Sequence, residues 1–218
     1  MNLDNYPRVW VTSDTHFGHA NIIKYCDRPF ASTEEMNQEL VNDWNSKVKK
    51  EDLVLHLGDV AFLNQEKIDY ILSRLNGKKL LILGNHDRKD KLEKHFSEGI
   101  FHYLTISRGK QKYVLMHYPI ESWDGKFHGV PHLHGHCHGT IDNKGLLRFD
   151  MGWDVWKEMV DLDWLVGYIN KNRQKIKAES TNVKFRDVFF EKLYSRATKD
   201  QEKELEEISN FLDGDWGG

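Results

Sequence analysis

"KLLILGNHD", residues 79–87, joins a buried strand to a chemically loaded end. Leu80, Leu81, Ile82 and Leu83 run without a polar break, the pattern of a strand covered on both faces in a parallel sheet. The run stops at Gly84, and an amide, an imidazole and a carboxylate follow on Asn85, His86 and Asp87. Such a stretch is either a decorated turn or one wall of a site, and the surrounding sequence has to decide.

The same shape recurs on either side, in "RVWVTSD" (8–14), "DLVLHLGD" (52–59), "KYVLMHYP" (112–119) and "PHLHGHCHG" (131–139). Between the early runs lie helical spacings. "TEEMNQELVNDWNSKV" sets Met36, Leu40, Val41 and Trp44 on one stripe behind a cap at Ser32 or Thr33, and "QEKIDYILSRL" does so with Ile68, Ile71, Leu72 and Leu75 before Gly77. Strand, helix, strand, helix, strand predicts an α/β layer fold for the first half. Shorter strands and closer turns in "HYLTISRG", "KYVLMHY" and "LLRFDMGWD" predict a second sheet made mostly of hairpins. Helical patterns return from Leu162 in "DLDWLVGYINKNRQKI", "VKFRDVFFEKLYSRA" and "KDQEKELEEISNFL", the last with a narrow Leu205, Ile208 and Leu212 stripe. This divides the chain into a domain over 1–161 and a helical extension over 162–218 that packs on the domain or forms a homodimer contact, with a frayed "DGDWGG" end.

With 218 residues, 39% of them hydrophobic, one sizeable core is expected and two large domains are not. The balance of 31 basic against 34 acidic residues lacks the footprint of a dedicated nucleic-acid binder, so no obligatory nucleic-acid partner is expected. "MNLDNYPRVWV" has no basic region leading into an apolar one, and no window is long enough to span a bilayer. A cytoplasmic protein with no membrane partner is the expectation, and two cysteines, Cys26 and Cys137, agree with a reducing compartment.

The 12 histidines are in excess and clustered. In α/β sheets ligands bind beyond the carboxyl ends of the strands. Those ends carry Asp14 and His16, Asp59, Asn85 and His86, His117, then His136 and His138. Each alone reads as a turn, a cap or a satisfied core residue; five coincident strand ends do not. Carboxylate and amide oxygens with imidazole nitrogens suit Mn, Fe, Ni or Zn. Seven of these eight, one a carboxylate able to bridge, suffice for two ions roughly 3.5–4 Å apart, a pair that generates hydroxide near neutral pH and clamps a phosphoryl oxygen. Hydrolysis of a phosphate ester is the chemistry that follows.

"DTH", "GDV", "GNHD", "H" and "GHCH", in this order, resemble the calcineurin-like metallophosphoesterase superfamily over residues 8–160, and "FDMGWDVW" resembles the closing strand of its small bacterial and phage members. The resemblance implies a four-layer α/β/β/α sandwich of two mixed sheets and two divalent ions, with Mn the first choice in assay. It places Asp14, His16 and His138 on one metal, Asn85, His117 and His136 on the other, and Asp59 between them. It gives His86 the catalytic role of protonating the leaving oxygen or stabilising the transition state, with Asp87, where the family more often has Glu, orienting that imidazole. Gly84 is expected to supply a tight turn. The substrate implied is a small phosphate ester, a nucleotide or cyclic phosphodiester; a nuclease and a non-catalytic scaffold of the same fold are the alternatives, the latter disfavoured by the full ligand set.

Other residues carry weaker expectations. His19 reads as a substrate contact or a helix cap, and Arg28 and Arg88 as phosphate partners or exposed surface. His56 and His134 read as core or as support for ligands. Cys137 should point away from its two neighbours if the segment is extended. Trp123, Lys126, Phe127 and His128 form either a substrate wall with a stacking aromatic or an ordinary loop over the sheet.

Overall fold

The computed structural model describes residues 1–143 and 145–178, with side chains to Lys171. The helices expected over 183–212, with their Leu205, Ile208 and Leu212 stripe, and the "DGDWGG" end lie outside the described residues. Along the chain run β1 (Val9–Thr12), α1 (Ala20–Tyr25), α2 (Thr33–Lys47), β2 (Leu53–His56), α3 (Gln65–Leu72), β3 (Lys78–Ile82), α4 (Lys89–Leu92) and β4 (Ile100–Phe101). Then come β5 (Tyr103–Arg108), β6 (Gln111–Met116), β7 (His132–His134), β8 (Arg148–Asp150), α5 (Trp153–Trp156), β9 (Val160–Asp161) and α6 (Leu162–Ala178).

Two mixed sheets result. The first has the order β4-β3-β2-β1-β9, parallel except for β9. Its central strands are unbroken apolar runs because both faces are covered. Trp10, Val54 and Leu81 pack against Met36, Leu40 and Trp44 of α2 and Ile68 and Leu72 of α3. Val9, Val11, Leu53, Leu55, Leu80 and Ile82 face the second sheet through Ile106, Tyr113, Leu115, Leu133 and Phe149. Leu162, Leu165 and Ile169 of α6 join that same intersheet core. The expected cap forms, Ser32 accepting from the Glu35 N–H, and Asn64 caps α3 by accepting from that of Lys67.

The second sheet has the order β5-β6-β7-β8 and corrects the hairpin expectation. Only β5 and β6 form a hairpin; β6, β7 and β8 pair in parallel. The connections over 117–131 and 135–147 are long enough to return the chain for parallel pairing, which a hairpin turn cannot do. The consequence matters for chemistry. Parallel β6 and β7 deliver their carboxyl ends, His117 and His136, to the side where β1, β2 and β3 end.

Candidate metal centre

The loops leaving β1, β2 and β7 carry unusual backbone. Asp14, His16, Asp59, His136 and His138 all sit at left-handed φ, from 49° to 72°, a region uncommon for residues with a Cβ. Strain of this kind persists only where surroundings over-determine it, and it gathers at functional sites. Here neighbouring loops do the holding. The Asp14 N–H donates to the Gly58 carbonyl at 2.9 Å and the His16 N–H to the Asp59 carbonyl at 3.0 Å. The Asp14 carboxylate accepts from the His136 N–H at 3.0 Å, and Asp59 Oδ1 from the His86 N–H at 3.0 Å.

Two glycines permit this closeness. A Cβ on Gly84 would lie 2.2 Å from Asp59 Oδ1, and one on Gly135 would lie 2.0 Å from Ser13 Oγ and 2.4 Å from Asp14 Oδ2. Gly84 opens the expected turn, its carbonyl accepting from the Asp87 N–H at 3.4 Å, but it has no left-handed φ, so what requires glycine there is room for Asp59.

The side chains converge in two groups able to hold an ion, Asp14 with His16 and His138, and Asp59 with His117 and His136. Asp59 Oδ2 stands between them, 3.8 Å from His16 Nε2 and 3.6 Å from His117 Nε2. Asn85 Oδ1 completes the second group, 3.0 Å from His117 Nε2 and 2.9 Å from His136 Nδ1.

Three features show that these donors fit a cation. His117 Nδ1 lies 2.7 Å from the Leu57 carbonyl and so carries the proton. Its Nε2 then presents a lone pair to the Asn85 oxygen, a contact that a shared cation makes favourable. Both ring nitrogens of His16 are buried without a hydrogen-bond partner, costly for polar atoms unless a ligand takes them. Burial, aided by the positive charges of His138 and Arg28, pushes His16 down to about 2 and keeps it neutral. Burial and then the Asp150 charge push Asp14 the other way, well above the carboxylate range, a tension that a bound cation relieves.

His86, exposed at the end of β3, lines a cavity of about 720 Å³ with His16, Asp59, His136 and His138. Phe62 lies beside it at 4.7 Å between ring centroids. Asp87 does not orient this imidazole as expected. Its carboxylate instead accepts from the backbone N–H groups of Asp59 and Val60, each at 2.8 Å, and of Gly84 at 2.9 Å. His19 precedes α1 but makes no side-chain cap; it stacks on Phe62 at 4.1 Å and lines the cavity.

Arg28 is placed differently from the substrate contact foreseen for it. It is 3% exposed, with Nε and Nη2 each 2.7 Å from the Asp154 carboxylate and further bonds to the Asp14 and Thr15 carbonyls. Arg88 is exposed and pairs with Asp90. His56 is a strut: its Nδ1 accepts from the Gly58 N–H, and its Nε2 meets Thr15 Oγ1 at 3.0 Å. His134 is buried against the Gly135 carbonyl. Cys137 reaches the cavity lining, because left-handed His136 and His138 break the extended alternation; burial raises its thiol to about 11. Tyr118 packs edge-on against His136 at 4.8 Å between ring centroids, while the 121–130 stretch that follows is an ordinary cover. Trp123 is buried against His132 and donates to the Val130 carbonyl. The aromatic wall comes from Phe62 and from Tyr25, 72% exposed at the rim, neither of which the strand-end pattern marks.

A two-sheet α/β sandwich that draws Asp, Asn and His donors from five strand ends into one cluster able to hold metal defines a metal-dependent phosphoesterase. The sequence matches the Calcineurin-like phosphoesterase family over residues 7–188, and the chain belongs to that family. It is 40% identical over 135 residues to the uncharacterized protein MJ1445 of Methanocaldococcus jannaschii, covering 61% of this chain and 70% of that one. It is 28% identical over 194 residues to the Gene 66 protein of Mycobacterium phage D29, covering 74% and 96%. The solved structure of the Aquifex aeolicus protein AQ665, of unknown function, shares the fold with a TM-score of 0.62 at 24% identity, over 74% of this chain and 99% of that one. No described helix is long and apolar enough to cross a membrane.

Proposed function

We propose that the protein is a dinuclear phosphoesterase that hydrolyses a small phosphate ester, a nucleotide or cyclic phosphodiester. The observation that carries this reading is the position of Asp59 Oδ2, within 3.8 Å of one histidine from each group, where its carboxylate would be shared between the two donor sets. Asp14, His16 and His138 would hold one ion, and Asn85, His117 and His136 the other. Divalent Mn, Fe, Ni or Zn held there would polarise a phosphoryl oxygen and lower the pKa of a water molecule.

The protein's own contribution is placement. The left-handed backbone at Asp14, His16, Asp59, His136 and His138 aims the donors inward, and the loop-to-loop hydrogen bonds hold them there before substrate arrives. His86, on the cavity wall beside Asp59, is the group that gives a proton to the leaving oxygen or binds a phosphoryl oxygen. Tyr25, His19 and Phe62 form a strip of rings from the rim to His86, with Tyr25 edge-on to His19 and His19 stacked on Phe62, which suits an ester whose alcohol carries an apolar or planar group. The lining includes no lysine or arginine among the described residues. That disfavours a polyanionic nucleic acid as substrate.

A panel of nitrophenyl phosphomonoester, bis-nitrophenyl phosphate and cyclic nucleotides, assayed with Mn, Ni, Zn and Mg, tests the proposal. Turnover that depends on added metal and vanishes with chelator is the expected result. Metal binding with no turnover on any ester would leave the scaffold alternative standing.

A further inference from the structure

Behind His138 lies a buried ion pair, Arg28 with Asp154, neither of them among the metal-ligand motifs. Asp154 Oδ2 lies 2.7 Å from His138 Nδ1 and 2.7 Å from Arg28 Nη2, while Asp154 Oδ1 takes the Arg28 Nε–H at 2.7 Å. The Arg28 and Asp154 side chains are 0% and 3% exposed. A sealed ion pair is costly unless every donor and acceptor is used. Here they are used in one direction, since the remaining Arg28 donors hold the Thr15 and Asp14 carbonyls at 2.9 and 2.7 Å. One guanidinium thus ties the backbone of the first ligand loop to the carboxylate that grips the last ligand.

We propose that Arg28 and Asp154 are positioning residues that set the tautomer and ring orientation of His138, so that its Nε2 is presented to the ion beside Asp14 and His16. A carboxylate only accepts, so Nδ1 of His138 keeps its proton on Asp154, and Nε2 is the nitrogen that gives up its proton when an ion binds. The brace also decides between overlapping ion sites. Cys26, His138 and Asp154 approach one another closely enough to form a competing group. Arg28 sets its own positive charge against both Asp154 oxygens, which disfavours a cation on that carboxylate and leaves His138 to serve with Asp14 and His16. Carboxylates that orient metal-bound histidines in this way are worth 10–100-fold in metal affinity.

This inference rests on the reading of His138 as a metal ligand, and the test separates the two. The full chain, stripped with chelator, is titrated with Mn²⁺ while free Mn²⁺ is followed by electron paramagnetic resonance, and with Co²⁺ while visible absorption reports ligand geometry. The unaltered protein should take two equivalents. Asp154→Asn should weaken one of them by 10–100-fold and alter the Co²⁺ spectrum of that equivalent alone, with the other unchanged. Arg28→Lys, which keeps the charge but loses the fork, should weaken the same equivalent less. Circular dichroism establishes folding, and if Asp154→Asn fails to fold, Arg28→Lys carries the comparison. Two unchanged equivalents with an unchanged Co²⁺ spectrum in the folded variants would overturn the brace while leaving the proposed function intact. Uptake of no ion by the unaltered protein would overturn both.

Discussion

The carboxylate of Asp87 accepts a hydrogen bond from the backbone N–H of Asp59 at 2.8 Å, clipping the loop after β3 onto the loop after β2. Its oxygens take the Val60 and Gly84 N–H groups as well. Asp87→Ala should therefore leave three largely buried donors without an acceptor and destabilise the fold by roughly 2–4 kcal/mol, with a smaller loss in Asp87→Asn, which retains one oxygen. Urea unfolding of the metal-free protein measures this. Unchanged stability in Asp87→Ala would mean that the clip is not needed to hold the two loops.

Asp59 should be the ligand position least tolerant of change, because a neutral amide bridges two cations poorly. Asp59→Asn should lose at least one metal equivalent by elemental analysis, and kcat/KM should fall by more than about 10²-fold, exceeding the cost of altering groups behind metal ligands. Chelation should abolish turnover in the parent protein and lower its Tm, since ions at a hundred times their Kd stabilise the native state by about 2.7 kcal/mol. Full metal content and activity in Asp59→Asn would remove the two-ion reading.

Two buried imidazoles that are not proposed ligands set an acid limit on stability. Burial and the charge of His117 hold His56 down to about 3, and burial and His134 hold His132 down to about 4 despite favourable contacts with the Val114 and Tyr118 carbonyls. An unfolded imidazole titrates near 6.5. Below that pH the unfolded chain binds protons that the native state refuses, so stability falls as pH drops from 6.5 toward 4 and is unaffected by these groups above 6.5. For the two together the loss from pH 6.5 to 5 is about 3 kcal/mol. Denaturation of the chelator-treated protein across this range should show it, and His56→Gln should make the slope shallower. An equally steep slope in His56→Gln would assign the acid sensitivity elsewhere.

The strand-end donors were legible in the sequence because each follows an apolar run that has no other reason to end in Asp, Asn or His. Parallel pairing of β6, β7 and β8 was not legible, since side-chain alternation is the same in either direction and only the reach of the 117–131 and 135–147 connections differs. Left-handed φ at Asp14, His16, Asp59, His136 and His138 had no sequence mark, because those positions elsewhere favour glycine. The role of Arg28 was hidden for another reason. It depends on Asp154, 126 positions further on, and Asp154 stands in "FDMGWDVW", a segment that reads as a closing strand and not as part of a site. Trp123 was the more conspicuous aromatic, but its indole N–H is committed to Val130, while Phe62 reaches the cavity from the loop after β2.

The roles of Asn85 and His86 can be separated by experiment although they are adjacent in the chain. The Asn85 oxygen points at two histidines of the second group, whereas the His86 ring lies on the cavity wall with its backbone N–H held by Asp59 Oδ1. His86→Ala should therefore keep both metal equivalents while kcat falls by roughly 10²–10⁴, the usual worth of a positioned acid or base. Asn85→Ala should instead weaken one equivalent. The loss in His86→Ala should shrink on nitrophenyl esters, because nitrophenolate leaves with little help from a proton, and should be largest where the leaving group is an alkoxide or a ribose oxygen. Elemental analysis beside turnover on both ester types checks the claim. Loss of one equivalent in His86→Ala would make the imidazole a ligand, and undiminished turnover on the poor leaving group would move the acid to another side chain of the cavity.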